Sequence, residues 1–310
     1  MVMAGLYVIV GLAILVFAGD ALVKGAVNLA LRLGLPALVV SLTVVAFGTS
    51  APELLVSVQA ILGGAPGLAL GNVVGSNTAN VLLVLGVPAL IATLHTSGCS
   101  TARDYLMMVG ATVLFVVFCT SGTLVWWHGL AMLVALAGVL LTMFLTARRD
   151  AAEIEVEGAE PGLAGWKVGA FLLVGLIGLP LGAGLLVDGA TTIARSFGVS
   201  ETVIGLTLVA VGTSLPELAT TVMAAIRRHA DVALGNVIGS NLFNLLGIMG
   251  IAVLVGPVPV DDSFLRRDLW VMVGATLLLV PFVFFRRDIT WFWGVILSML
   301  YIAYVAWSLL

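Results

Sequence analysis

Charge is what this sequence most lacks. Only 13 Lys and Arg and 16 Asp and Glu occur among 310 residues, 9% in all, whereas 61% are hydrophobic. A water-soluble domain carries about 25% charged residues to keep its surface wet, so that class is excluded. No basic tract is present to meet a nucleic-acid backbone. Two cysteines, Cys99 and Cys119, cannot supply a thiolate metal framework and are read as space-filling. The first apolar segment, MVMAGLYVIVGLAILVFAG, has no basic stretch ahead of it, so it is expected to be a membrane helix that stays in the mature chain.

In place of charge there is apolar sequence, with a mean hydropathy of +1.22. Runs of roughly 20 residues, enough to cross about 30 Å of hydrocarbon, fill most of the chain. Breaking them at charges and turn residues predicts an all-α membrane protein of ten transmembrane helices. They lie near 2–32, 36–62, 68–93, 103–120, 124–146, 166–194, 200–227, 232–255, 268–285 and 289–309. The first and sixth exceed one straight crossing and should tilt. An acidic stretch with Glu153, Glu155, Glu157 and Glu160 divides the chain into units 1–147 and 166–310, joined by a linker over 148–165.

Basic residues set the expected orientation. Arg32, Arg103, Arg148, Arg149, Lys167, Arg227, Arg228, Arg286 and Arg287 fall on one side of such a ten-helix arrangement. Arg195, Arg266 and Arg267 fall on the other. The excess marks the cytoplasmic side, which places both termini outside the cytoplasm of a multi-pass cell-membrane protein.

The two units are copies of each other at an offset of 164 residues. GTSAPEL at Gly48–Leu54 answers GTSLPEL at Gly212–Leu218, and LGNVVGSNTAN at Leu70–Asn80 answers LGNVIGSNLFN at Leu234–Asn244. Arg103-Asp104 falls on Arg267-Asp268, and VGAT at Val109–Thr112 on VGAT at Val273–Thr276. Five helices per copy is an odd number, so the second copy would enter the membrane with opposite orientation. That is the inverted-topology repeat of secondary transporters, which place their site where the copies meet.

The matched residues are polar and disturb helices in the middle of apolar segments. Glu53 and Glu217 have no Lys or Arg near them in their segments, and an ionisable group in hydrocarbon costs about 2.5–3.5 kcal/mol on insertion scales. The missing counter-charge is expected to come from solution, as a cation or a proton. Pro52 and Pro216 each remove an N–H and clash with the carbonyl four residues back, that of Gly48 or Gly212, opening the helix one turn before the carboxylate. Thr49 and Ser50 share a face with Glu53, as Thr213 and Ser214 do with Glu217. Asn72, Ser76 and Asn80 form a stripe at i, i+4 and i+8, repeated by Asn236, Ser240 and Asn244. Gly71 and Gly75, and Gly235 and Gly239, run alongside at a spacing that lets helices approach closely. Every donor in this set is a hard oxygen, which suits Ca2+, with its six to eight oxygen ligands, and disfavours soft metals.

The paired GTS-x-PE and GN-x-x-GSN-x-x-N segments resemble the α-repeats of the cation/Ca2+ antiporter family, in particular its prokaryotic sodium/calcium exchangers, over essentially the whole chain. The resemblance implies a ten-helix fold in which the second and seventh helices are broken around a central site. It implies Ca2+ ligation by Glu53, Glu217 and the carbonyls of Thr49 and Thr213. It implies Na+ sites drawing on Ser50, Ser76, Ser214, Ser240, the same Glu pair and the carbonyls of Ala46 and Ala210. Asn72, Asn80, Asn236, Asn244, Pro52 and Pro216 would support the site. Alternating access is expected as sliding of the first and sixth helices, with Ca2+ and Na+ as substrates, the lipid bilayer as surroundings, and neither cofactor nor oligomer required. A structurally known member has Asp where this chain has Asn244, so fixed charge here rests on the two Glu alone. H+/Ca2+ exchange is the alternative coupling.

Two other classes fit less well. A hydrolase using Ser50 or Ser214 would need a base, yet His95, His128 and His229 fall at loops or ends. A passive cation channel would use the same oxygens, but inverted duplication within one chain favours alternating access.

Overall fold

The computed structural model describes residues 2–35, 37–96, 99, 101–150, 163–198 and 210–308. Most of the expected linker 148–165 and the first part of the expected helix 200–227 lie outside the described residues. In chain order the helices are α1 (Val2–Leu33), α2 (Ala37–Thr49), α3 (Ala51–Leu62), α4 (Pro66–Ile91), α5 (Ala102–Cys119) and α6 (Trp126–Asp150). The second half contains α7 (Gly165–Ser196), the short α8 (Ala210–Thr213), α9 (Leu215–Ile226), α10 (Ala230–Val255), α11 (Phe264–Phe284) and α12 (Trp291–Ser308).

Among the described residues eight helices are long and apolar enough to cross a membrane, and the pair α2 and α3, bent by 43°, makes a ninth. The outer helices carry large apolar side chains outward, Phe17, Trp166 and Trp270 among them, as lipid-facing helices do. The α10 helix is the most enclosed, with 89% of its apolar window buried. Ser41–Val45 within α2 and Phe243–Ile248 within α10 are wound as π-helix. Such turns frequently occur at functional positions.

Glycine contacts reveal how the helices run. Gly11 of α1 meets Gly182 and Leu186 of α7, Gly25 meets Leu172, and Gly189 meets Ala4, so α1 and α7 pack antiparallel through a seam with almost no side-chain relief. By the same reading α10 is parallel to α2, with Gly235 on Leu38 and Gly239 on Leu42, and antiparallel to α6, with Gly129 on Gly250. The α4 and α12 helices are antiparallel, with Gly86 on Ser298 and Gly294 on Leu90. Side chains at these points would hold the backbones apart. The expected close approach is therefore present at Gly235 and Gly239. No described atom lies within 4 Å of a Cβ placed on Gly71 or Gly75, and three of the four positions that the offset would bring there, 202, 205 and 206, lie outside the described residues.

One feature departs from an all-helical reading. Strand β1 (Thr123–Leu124) pairs antiparallel with β2 (Val258–Pro259), and Leu94 forms a bridge with Ile289. The 164-residue offset carries Leu94 onto Val258, and Ile289 onto Val125, one residue from Leu124, so the two loop contacts correspond to within one residue, each tying one copy to the other. Cys99 follows Leu94 in its loop, where burial pushes its thiol up to about 12. A thiol so reluctant to ionise suits a space-filling role.

Candidate functional site

The site forms where two helices break in the same way. Ser50, between α2 and α3, has φ −85° and ψ 5°, and Ser214, between α8 and α9, has φ −87° and ψ 2°. Pro52 and Pro216 then occupy the first turns of α3 and α9, where a missing N–H costs the helix nothing. Glu53 and Glu217 follow in those same first turns. Each carboxylate thus sits at the positive end of a half-helix. Each is also almost sealed, with 1% of its surface exposed.

A second pair of residues fixes the breaks from behind. Asn72 Nδ2 donates to the Glu53 carbonyl at 3.2 Å and to Ser57 Oγ at 3.0 Å. Asn236 Nδ2 does the same to the Glu217 carbonyl at 3.3 Å and Thr221 Oγ1 at 3.1 Å. Each of these asparagines thus holds the backbone of a glutamate through its side-chain amide. Ser57 and Thr221 were missed by sequence reasoning. Their signal was present, since the repeat places a hydroxyl at both positions.

The other candidates gather around this frame. Ser50 Oγ donates to Glu217 Oε1 at 3.0 Å and Ser240 Oγ to the same atom at 3.5 Å, so groups from both copies meet on one carboxylate. Thr49 Oγ1 lies 3.3 Å from the Ala46 carbonyl and 3.4 Å from Asn236 Oδ1. The Ala46 carbonyl also accepts from the Ser50 N–H at 3.0 Å, so this candidate ion ligand is already engaged twice. Ser76, Asn80, Ser214 and Asn244 are buried, and Thr213 is half-buried. Ala210 begins α8.

Asn77 and Asn241 also escaped sequence reasoning. Asn80 Nδ2 donates to Asn241 Oδ1 at 3.0 Å, and Asn241 Nδ2 reaches the Asn77 carbonyl at 3.5 Å, joining α4 to α10. Both lie inside the repeated GSN triplet. A reading by i, i+4, i+8 stripes looks along a neighbouring face and misses them.

Among the described residues the ion pairs lie elsewhere, with Lys24 and Arg227 on Asp20, Arg267 on Asp268, and His95 beside Asp288. Ser50, three residues before Glu53, donates to Glu217, so the two acids lie at one junction of the copies. Glu53 Oε2, Glu217 Oε2, Asn77 Oδ1, Asn80 Oδ1, Asn244 Oδ1 and Ser214 Oγ are all buried without a hydrogen-bond partner. Buried polar atoms normally find partners, and oxygens left over beside two acids are suited to a hard cation. No group of three or more His, Cys, Asp or Glu assembles among the described residues, so further ligands would have to be neutral oxygens.

Apolar helices of membrane-crossing length, enclosing two buried acids amid hydroxyl and amide oxygens, define a membrane transporter. The chain belongs to the sodium/calcium exchanger protein family, whose model matches residues 3–145 and 167–310. It is 35% identical to sodium/calcium exchanger MaX1 of Methanosarcina acetivorans, over 97% of each chain. It is 34% identical to inner membrane protein YrbG of Escherichia coli, over 90% of this chain and 88% of that one. A solved structure of the sodium-calcium exchanger NCX_Mj, soaked with 10 mM Na+ and 10 mM Sr2+, superposes with a TM-score of 0.85 at 32% identity, covering 98% of both chains.

Proposed function

We propose that this chain is a secondary antiporter that exchanges Ca2+ for Na+ by alternating access at the Glu53–Glu217 site. The observation that carries the reading is the pair of sealed carboxylates on matched half-helices, with no cationic side chain paired to them among the described residues. Two carboxylates neutralise one Ca2+, or two Na+, so either cargo restores charge balance in a medium where imbalance is costly. Ca2+ would be held by Glu53, Glu217, Thr49 and Thr213. Na+ would use Ser50, Ser76, Ser214 and Ser240 with the same acids, and the carbonyls of Ala46 and Ala210. The printed names of MaX1 and NCX_Mj, both sodium/calcium exchangers, support the choice of ions.

The architecture in this reading is ten crossings in two inverted five-helix repeats, units 1–147 and 166–310, with both termini outside the cytoplasm. Helix directions support it. The counterparts α1 and α7 run antiparallel, as inversion requires, and α2 parallel to α10, α6 antiparallel to α10 and α4 antiparallel to α12 all agree with that count. The smooth glycine seam between α1 and α7 suits sliding of that pair against the rest. A second reading, H+/Ca2+ exchange, draws support from the neutral amides at Asn80 and Asn244, because two protons then suffice to discharge the empty site.

Flux from proteoliposomes loaded with 45Ca2+ separates these couplings. An outward-to-inward Na+ gradient at fixed, equal pH is expected to drive Ca2+ efflux. Efflux that ignores Na+ and follows a pH gradient would overturn Na+ coupling in favour of the proton.

A further inference from the structure

The two copies agree in their frame and disagree in their cross-links. The frame bonds of Asn72 have full counterparts at Asn236. Two of the bonds that bridge the copies are made on one side only. Asn80 donates to Asn241, but the counterpart bond, from Asn244 Nδ2 to Asn77 Oδ1, is absent and both atoms are buried without a partner. Ser50 donates to Glu217, while its counterpart is likewise unmade, with Ser214 Oγ and Glu53 Oε2 unpartnered. Two separate bonds are thus broken in the same sense.

We propose that Asn77 and Asn241 are positioning residues forming a two-state clasp, which holds one half of the site closed in each access state. In the state seen here Asn241 takes the amide of Asn80. In the opposite state Asn77 takes that of Asn244, and the serine contact passes from Glu217 to Glu53. The two arrangements use the same atom types in the same kinds of bond, so they lie close in energy, as a reversible two-state element must. The inference rests on the alternating-access reading above. It adds the residues that make the choice between states.

Substitution at one half of the clasp removes the clasp bond of one state alone, and Asn77→Ala also gives up the bond from Asn77 Nδ2 to the Val73 carbonyl at 3.0 Å within its own helix. Asn241→Ala loses the contact made here, and Asn77→Ala loses the contact of the opposite state. The apparent KM for Ca2+ at a given face rises when the state open to that face is depopulated. The test compares apparent Ca2+ KM in right-side-out and everted membrane vesicles under a Na+ gradient. The two variants are expected to shift the ratio of the two KM values in opposite directions, each by about two- to thirtyfold. Asn77→Ala/Asn241→Ala should return the ratio to within about twofold of wild type. If the alanine variants do not reach the membrane, Asn77→Ser and Asn241→Ser carry the same test with a shorter polar side chain. Shifts in the same direction, or lower maximal rates with an unchanged ratio, would reduce both residues to packing and overturn the clasp. Wild-type vesicles without Na+-driven Ca2+ flux would instead remove the exchange reading, and the clasp with it.

Discussion

Two glutamates, each with 1% of its surface exposed, make this site unlike an ordinary helix interface. A buried carboxylate is retained when something compensates it, and here the compensation comes from a half-helix N-terminus, a few hydroxyls and, in the proposed cycle, the cargo. Asn244 tests how finely the charge is set. Both atoms of its amide are buried and unpartnered, so Asn244→Asp would add a third acid in the same field. The variant is expected to fold, because Asn and Asp share a shape, yet its transport should depend on Na+ and pH more steeply than wild type. Flux measured across a Na+ series and a pH series checks this, and profiles superimposable on wild type would remove position 244 from the site. Most of the acids and hydroxyls here were legible in the sequence, since duplication marks polar residues that packing alone would not keep twice. Asn77 and Asn241 escaped because a stripe analysis weighs one helix face at a time.

Broken helices and smooth seams do the work at the scale of elements. The Pro-Glu pairs announced the breaks at Ser50 and Ser214. The π turns at Ser41–Val45 and Phe243–Ile248 were not legible, because an inserted residue depends on what the neighbouring helix demands rather than on local propensity. The strand pair β1–β2 was also invisible, being two residues on each side and fixed by loop geometry. The seam between α1 and α7 offers a direct test. A Cβ on Gly11 would lie 2.7 Å from the Leu186 nitrogen, whereas one on Gly5 of the same helix meets no described atom within 4 Å. Gly11→Val should cost about 1–3 kcal/mol by overpacking and slow transport, whereas Gly5→Val should stay within about 0.5 kcal/mol. Thermal unfolding in detergent, with flux on the same preparations, reads both effects. Equal behaviour of the two variants would show that the seam tolerates bulk.

On the scale of the whole molecule, a duplicated chain, antiparallel counterpart helices and one site with two buried acids come together in a single antiporter. Hydropathy marks the eight helices, nine with the bent pair, that are long and apolar enough to cross a membrane among the described residues, and the repeat is plain from comparison of the halves, whereas the expected crossing 200–227 lies partly outside the described residues. The way the copies meet required coordinates, since no local pattern tells which helix faces which. The central claim is that the two glutamates form one shared cation site in which Ca2+ and Na+ compete. Calorimetric titration of Ca2+ into the purified protein, in Na+-free and Na+-containing buffer, tests it most directly. Wild type should bind Ca2+ with an affinity that falls as Na+ rises. Glu53→Gln and Glu217→Gln should each weaken Ca2+ binding by about 100-fold, the loss of roughly 2.8 kcal/mol expected when one charged partner is removed. Undiminished Ca2+ binding in either variant, with the fold intact, would contradict the account.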